Sequence, residues 1–139
     1  MLKKIALFSF FVIFTFQLYG VPFSLIRNAG DAEDYPNSDY LVIFDSTSVD
    51  VQENGLSYRN YHKLYKVLTP EGAKKLNHLK YRYDPLSAHV DIKEVKIYRK
   101  DGTVEEIDLD KERDYPAPAR MIYWGARHKM INIGNLKPG

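Results

Sequence analysis

The stretch Tyr40–Leu68, YLVIFDSTSVDVQENGLSYRNYHKLYKVL, decides the fold class. Its first half is rich in β-branched and aromatic residues, which favour the pleated, half-buried surface of a sheet. Thr47, Val49 and Val51 alternate along it, and alternation with a period of two is typical of a strand. The pattern predicts one long strand with an irregularity near Asp45.

An Asn-Gly pair at 54–55 follows this strand and is among the strongest short-range signals for a hairpin turn. The return run is apolar and aromatic, but its parity changes between Tyr58 and Tyr61. Such a change predicts either a bulge or a strand that carries apolar side chains on both faces. Tyr40–Leu68 is therefore expected to form an antiparallel hairpin.

The period changes in TPEGAKKLNHL, residues 69–79. Thr69 is a good N-cap, Pro70 suits the first helical position, and Glu71 suits the positive end of the helix dipole. Apolar side chains share one face at Ala73, Leu76 and Leu79. The segment predicts a helix of two or three turns, weakened by Gly72.

The rest of the chain contains further strand signals. Residues 89–99 predict a strand, Lys100–Thr103 a tight turn, and residues 104–110 a return strand. Two prolines make residues 112–120 an extended connector, because proline is excluded from central strands. The segment Met121–Gly134 is aromatic and then alternating. The predicted fold class is all-β and mainly antiparallel, a β-sandwich-like open sheet of four or five strands with one short helix.

Residues 1–20 have the form of a secretory signal peptide. Lys3 and Lys4 precede an apolar run, Ile5–Phe16, whose 12 residues are too few for the roughly 20 of a membrane-spanning helix. Cleavage is expected after Gly20, and a lipid-anchored form is excluded because the chain has no cysteine. These features predict an exported protein, periplasmic or extracellular, with no stable membrane span after cleavage.

Removing residues 1–20 leaves 18 basic and 18 acidic residues, so the mature chain has no formal net charge. A neutral, mixed composition gives no reason to expect nucleic acid or an anionic membrane as partner. A disulfide framework is excluded by the lack of cysteine. The predicted organisation is a lead-in loop at 21–39 and one β domain at 40–139.

Motifs for catalysis and metal binding are missing. The four histidines, His62, His78, His89 and His128, lie too far apart in sequence to show a metal-ligand spacing. There is no Cys nucleophile, no G-x-S-x-G elbow and no S-x-x-K. The acidic residues after the 100–103 turn alternate with Ile107 and Leu109, as on a solvated strand face. We therefore predict no enzyme activity for this chain, no cofactor and no metal site.

Tyrosine is the compositional oddity, with 11 residues. Tyrosines on the return strand, with Tyr81 and Tyr83 on a neighbouring strand, can either form an aromatic platform for glycans or peptides or complete the rim of a sandwich core. The segment 122–129, IYWGARHK, is a second candidate surface that can equally pack against something outside the chain. The candidate interaction residues are Tyr58, Tyr61, Tyr65, Tyr123, Trp124 and Arg127.

Three segments carry a resemblance to a known family. They are DYPNSDYLVIFDSTSVDVQENGLSYRNYHKLYKVLTPEGAKKLNHLKYRYDP at 34–85, VKIYRKDGTV at 95–104 and DYPAPARMIYWGARHKMINIGNLKPG at 114–139. In order and content they resemble the N-terminal domain of unknown function of secreted bacterial, Bacteroidetes-type transglutaminase-like proteins. The resemblance covers roughly residues 31–139.

The resemblance implies a β-sandwich module followed by a domain with a Cys-His-Asp triad. No residue of that triad can be assigned here, because the chain has no cysteine. The implied role is a non-catalytic accessory or scaffold domain that packs against the downstream domain or presents protein or cell-wall peptide to it. The alternative is a free-standing periplasmic module that binds glycans or peptides. Because Pro138-Gly139 is typical of a turn within a domain, we also expect that the chain is part of a longer protein and that residues 21–139 alone are marginally stable.

Overall fold

The computed structural model describes residues 21–120, 122 and 125–139, so the predicted signal peptide lies outside the described residues. Three antiparallel sheets and two short helices form the described part. The order of the elements is α1 Val21–Asn28, β1 Tyr40–Val51, β2 Ser57–Val67, α2 Pro70–Leu76, β3 His78–Tyr83, β4 Lys96–Tyr98, β5 Val104–Glu106, a 3-10 turn Leu109–Lys111, β6 Arg113–Pro116 and β7 Arg127–Asn132.

The long hairpin β1–β2 forms as predicted. Its strands pair from Tyr40 opposite Val67 to Val51 opposite Ser57, with one register shift between Val42 and Phe44. This shift is the expected irregularity, slightly earlier than Asp45. No second shift occurs between Tyr58 and Tyr61, so the change of parity in the sequence reflects a strand with apolar side chains on both faces rather than a bulge.

Helix α2 confirms the predicted capping. The Thr69 hydroxyl accepts a hydrogen bond from the Gly72 N–H at 3.1 Å, and Pro70 occupies the first turn. Thr69 also donates to Asp39 Oδ1 at 2.8 Å, which ties the start of the helix to the residue before β1. The helix ends at Leu76, earlier than predicted, because His78 and Leu79 already belong to β3.

The central sheet has the order β3-β7-β6. The sequence prediction placed Tyr81 and Tyr83 on a strand but gave His78 and Leu79, the start of β3, to the helix. It also treated residues 112–120 only as a connector, whereas Arg113–Pro116 form β6. Proline is compatible with this strand because β6 lies at the edge of the sheet. Ile131 on β7 is fully buried, with no accessible surface, and marks the centre of the described core.

The third sheet, β4–β5, is shorter than predicted. Only Lys96–Tyr98 and Val104–Glu106 pair, around a turn in which Gly102 has φ +86°. Residues 89–95 form no strand, and Leu109–Lys111 form a 3-10 turn where a strand was expected. Both differences shorten elements without changing the class, and the mainly antiparallel β fold with a short helix is confirmed.

The lead-in segment 21–39 is not wholly a loop, because Val21–Asn28 form α1. This segment is fixed to β2 by Lys66, whose ammonium group donates to the carbonyl oxygens of Ile26 at 3.1 Å and Gly30 at 2.6 Å. The same group pairs with Asp31 at 2.9 Å. A buried lysine is stable when such oxygen partners replace water, so Lys66 helps to hold the lead-in on the domain, together with the edge-to-face contact of Phe23 with Tyr98.

Candidate binding cleft

A cleft of about 1260 Å³ opens between β2, β3, β4 and the segment 133–139. Its walls are largely apolar, and four tyrosines, Tyr61, Tyr65, Tyr81 and Tyr98, line it. The apolar and aromatic lining residues include Phe44, Tyr61, Leu64, Tyr65, Leu79, Tyr81, Ile97, Ile133 and Leu136. A concave, mainly apolar surface with a few polar groups is the usual form of a binding site.

Tyr61, Tyr65 and Tyr81 share the cleft for a reason that follows from the strands. Tyr61 and Tyr65 are four residues apart on β2 and so lie on the same face of that strand. The pKa of the Tyr81 phenol is raised, mainly by burial and to a smaller extent by the neighbouring Tyr65. Lys63 lines the same cleft and is paired with Asp45 at 2.7 Å. The cleft thus combines aromatic faces and phenol hydroxyls with charged side chains, most of them cations.

The edge of β2 that faces away from β1 borders the cleft. Among the described residues, β2 is hydrogen-bonded in a sheet to β1 alone. The Gly139 N–H donates to the Val67 carbonyl at 2.8 Å, so one end of this edge already accepts a bond from an extended segment. A free strand edge beside an apolar cleft is suited to receive an extended polypeptide.

The structure divides the predicted interaction residues. Tyr58 and Tyr61 are both 57 % exposed, but they are three positions apart on β2 and therefore lie on opposite faces of the hairpin. Tyr61 and Tyr65 line the cleft and Tyr58 does not. Tyr123 and Trp124 lie outside the described residues, so that part of the prediction is not addressed.

Arg127 is held in an ion pair rather than displayed as a binding cation. Its Nε contacts Asp114 Oδ1 at 2.7 Å, and its Nη2 donates to the Asp114 carbonyl at 3.1 Å. The Tyr83 hydroxyl donates to the other carboxylate oxygen of Asp114. These two donors lower the pKa of the Asp114 carboxyl, and the Tyr83 pKa is raised, chiefly by the same hydrogen bond. The network joins all three strands of the central sheet.

The histidines do not converge on a common site. His62 packs edge-on against Phe44 at 4.7 Å between ring centroids, and His128 packs against Tyr115 at 5.6 Å. Within residues 21–120, 122 and 125–139, no group of three or more His, Asp or Glu side chains is arranged to hold a metal ion. In the same part of the chain, no helix is long and apolar enough to cross a bilayer.

Sequence reasoning missed the two buried lysines, Lys66 and Lys129, each 6 % exposed. Lys129 donates to the Val90 carbonyl at 2.9 Å and pairs with Glu112 at 3.0 Å, and this bond to Glu112 is the main cause that raises its pKa. The sequence did contain a signal for both residues. Lys66 lies within the apolar run LYKVL, and Lys129 directly precedes the apolar Met130 and Ile131. A cation at a core-facing strand position indicates a buried, oxygen-lined contact.

A family model described as "Domain of Unknown Function with solved-structure structure (DUF3857)" matches residues 53–139. The match begins in the hairpin turn and includes α2, all three strands of the central sheet and the lining of the cleft from Tyr61 onward. No curated protein matches the chain, and no solved structure does.

Proposed function

Because the chain belongs to the DUF3857 family of domains of unknown function, we propose that it is a non-catalytic accessory domain of an exported, Bacteroidetes-type transglutaminase-like protein. Its role is to pack against a domain that carries the Cys-His-Asp triad, or to present a protein or cell-wall peptide substrate to it. The cleft is the surface through which it does so.

The observation that carries this proposal is the apolar cleft of about 1260 Å³ beside the free edge of β2. Removing apolar surface from water stabilises a complex by about 25 cal/mol for each Å² that is covered. The lining of the cleft is such a surface. Contact with another polypeptide would cover it. The residues themselves supply surface and edge hydrogen bonds rather than a nucleophile, since the chain has no cysteine.

The transglutaminase-like partner comes from the resemblance of the three quoted segments, 34–85, 95–104 and 114–139. In that arrangement the catalytic thiol, imidazole and carboxylate belong to the partner. The accessory domain contributes position: it holds a peptide near the thiol, or it fixes the orientation of the catalytic domain. Binding that aligns a substrate lowers the entropic part of the barrier to acyl transfer.

The test uses the intact protein purified from its host through an affinity tag inserted at the exposed turn 53–55, which leaves both ends of the polypeptide as the host makes them. Mass spectrometry then identifies the domains present in the purified species. We expect a transglutaminase-like domain, continuous with this chain or bound to it, that acts on glutamine-containing peptides. A purified species without such a domain contradicts the proposal.

Tyr61→Ala and Tyr58→Ala form a matched pair for this test, since the two side chains are equally exposed on one strand and only Tyr61 lines the cleft. We expect Tyr61→Ala to lower activity or partner retention severalfold and Tyr58→Ala to leave both near the wild-type level. Equal losses in the two variants would mean that the cleft is not the contact surface.

A free-standing glycan- or peptide-binding module is the second candidate function. The observation in its favour is the grouping of Tyr61, Tyr65 and Tyr81 in one cleft, because aromatic faces stack on sugars and on peptide side chains. It predicts saturable binding of a glycan or peptide by the purified protein with no catalytic domain present. Tyr61→Ala would weaken that binding and Tyr58→Ala would not.

A further inference from the structure

A row of cations covers the face of the central sheet that points away from the cleft. On β3, Leu79 and Tyr81 line the cleft, so the alternating Lys80 and Arg82 lie on the opposite face. The sheet register places Lys80 opposite Met130, and Met130 opposite Arg113 of β6. Lys80, Arg82 and Arg113 are all exposed. Together with Arg120 they form what we call the basic face.

Arg120 is included in the basic face because its positive charge lowers the pKa of His128, which lies on the same face. Arg82 is opposite His128 in the register, and Tyr115 is opposite it on the other side. Burial lowers the pKa of His128, and the positive charges of Lys80, Arg82 and Arg120 lower it further. These three cations are therefore close enough to act on one imidazole, and Arg120 is also exposed.

Among residues 21–120, 122 and 125–139, the cations of the basic face take part in no ion pair. Elsewhere in the described part of the chain, ten ion pairs engage other lysines and arginines, among them Lys63, Lys66 and Lys129. None of these pairs includes a residue of the basic face. Lys80 lies over the Tyr115 ring, 5.8 Å from its centroid, and this contact leaves its charge in place.

Two nearly fully exposed apolar side chains flank one end of this sheet. Leu86 is 90 % exposed and Ile122 is 94 % exposed. Leu86 lies in the turn that directly follows β3, where its N–H is held by Asp84 at 3.0 Å. Ile122 lies in the connection between β6 and β7. Both loops leave the sheet at the same end, because Tyr83, Arg127 and Pro116 are mutually paired there.

We propose that the basic face, with Leu86 and Ile122 as apolar anchors, binds the surface of an anionic lipid bilayer. Clustered lysines and arginines are attracted to anionic headgroups, and aliphatic loop tips gain free energy when they enter the boundary between headgroups and acyl chains. Charge alone would suit any polyanion. The exposed Leu86 and Ile122 favour lipid, because a soluble acidic polymer offers no apolar phase to cover them.

This assignment is independent of the proposed accessory role, because Lys80, Arg82, Arg113 and Arg120 do not line the cleft. It is also compatible with a mature chain of zero formal net charge. The ten ion pairs engage ten of the 18 cations of the described residues, and four of the remaining eight are grouped on one sheet face. Binding at the surface leaves the domain outside the bilayer.

The test measures co-sedimentation of the intact secreted protein with phosphatidylcholine vesicles that contain either no anionic lipid or roughly one-third phosphatidylglycerol. We expect binding only to the anionic vesicles, weakened when the ionic strength rises from about 0.1 M to about 0.5 M. The triple variant Lys80→Gln, Arg82→Gln and Arg120→Gln should bind about 100-fold more weakly, since each cation near such a surface contributes about a fivefold factor.

The matched control removes the same charge from exposed cations on other elements, with Arg27→Gln, Arg59→Gln and Lys100→Gln. This control should change binding by no more than about threefold, the loss expected from reduced long-range attraction alone. Leu86→Ser with Ile122→Ser should weaken vesicle binding at every ionic strength and leave circular dichroism unchanged. Equal binding to neutral vesicles, equal losses in the two triple variants, or binding to dextran sulfate without binding to vesicles would each overturn the proposal.

Discussion

The two ends of the β1–β2 hairpin differ sharply, although they belong to the same pair of strands. At one end, Lys66, Val67 and Leu68 are buried, and Lys66 is bonded to the lead-in segment. At the other, residues 46–61 are exposed on both faces, including Val49 and Tyr58. We call residues 46–60 the arm and the buried end, with α2 and the central sheet, the packed end.

The two ends of the hairpin contribute differently to stability and to binding. Hydrogen bonds between β1 and β2 continue to the tip of the arm, so local pairing does not depend on burial. The packed end adds the apolar burial that fixes the fold, and the arm and cleft keep their apolar side chains accessible. Large effects on stability are therefore expected at the packed end, and effects on binding are expected at the cleft.

The largest effect on stability should come from Ile131→Ala. Ile131 has no accessible surface, so the substitution leaves a cavity and should lower the free energy of unfolding by about 2–5 kcal/mol. The matched truncation in the arm, Val51→Ala, removes a side chain that is 68 % exposed and should change it by less than about 0.5 kcal/mol. Urea denaturation followed by circular dichroism measures both. Similar losses would erase the distinction between the two ends.

Gly72→Ala tests how closely α2 packs on the chain before β1. A Cβ atom at Gly72 would overlap the carbonyl oxygen and carbon of Asp39, which belong to the rigid backbone. We expect a loss of about 1–3 kcal/mol from this overlap. Helix propensity alone predicts the opposite sign, a gain of up to about 1 kcal/mol. A more stable variant in the same urea titration would show that the contact between α2 and Asp39 is loose.

Thr69→Ala should have a smaller effect at the same joint. It removes the acceptor for the Gly72 N–H and the hydroxyl that donates to Asp39, at a cost of about 1 kcal/mol. Thr69→Ser keeps the hydroxyl and should lie near the wild type in thermal denaturation. If both variants were equally destabilised, methyl packing rather than capping would be responsible.

A still smaller effect concerns pH and His128. Its folded-state pKa lies below the ordinary value of 6.5 because of burial and three nearby cations. The unfolded chain therefore binds the proton more readily, so stability is complete above that value and falls as the pH decreases through the folded-state pKa. The carboxyls of Asp39 and Asp114 also have lowered pKa values, from 3.8, and their contribution is lost only in more acidic solution.

We expect His128→Phe to flatten the dependence of the unfolding free energy between about pH 7 and about pH 5. Phenylalanine keeps an aromatic ring beside Tyr115 and cannot bind a proton. The measurement is a pair of urea titrations at the two pH values for each protein. An unchanged slope in the variant would assign the dependence to other groups.

Much of the fold follows from local signals in the sequence. The Asn-Gly turn, the alternation in Tyr40–Val51 and the Thr69-Pro70 start of α2 each depend on neighbouring residues, and all three were predicted. The bounds of β3 were not predicted because its residues, HLKYRY, follow the helical pattern without a turn signal and pair only with β7, about fifty residues later. Helix α1 was missed because its residues, VPFSLIRN, were grouped with the polar, turn-rich segment that begins at Arg27, and its contact with the domain depends on the buried Lys66.

The cleft was less predictable than the fold. Tyrosine content indicated an aromatic surface, but the strand register alone decides that Tyr61 and Tyr65 share a face and that Tyr58 lies opposite. Arg127 was a reasonable candidate by residue type, yet its partner Asp114 lies on a neighbouring strand. The basic face could not be predicted from the net charge of the chain. A total of zero does not show where the cations lie, and the alternation of side chains along the strands places several of them on one face.

Photo-crosslinking in the host from p-benzoylphenylalanine placed at position 61, with position 58 as the matched control, tests whether the cleft contacts a transglutaminase-like domain. Both sites are equally exposed on β2, and only position 61 faces the cleft. We expect a cross-link from position 61 to a transglutaminase-like domain, within the same polypeptide or in a bound one, and none from position 58. Cross-links to that domain with equal yield from both positions, or from neither, would contradict this expectation.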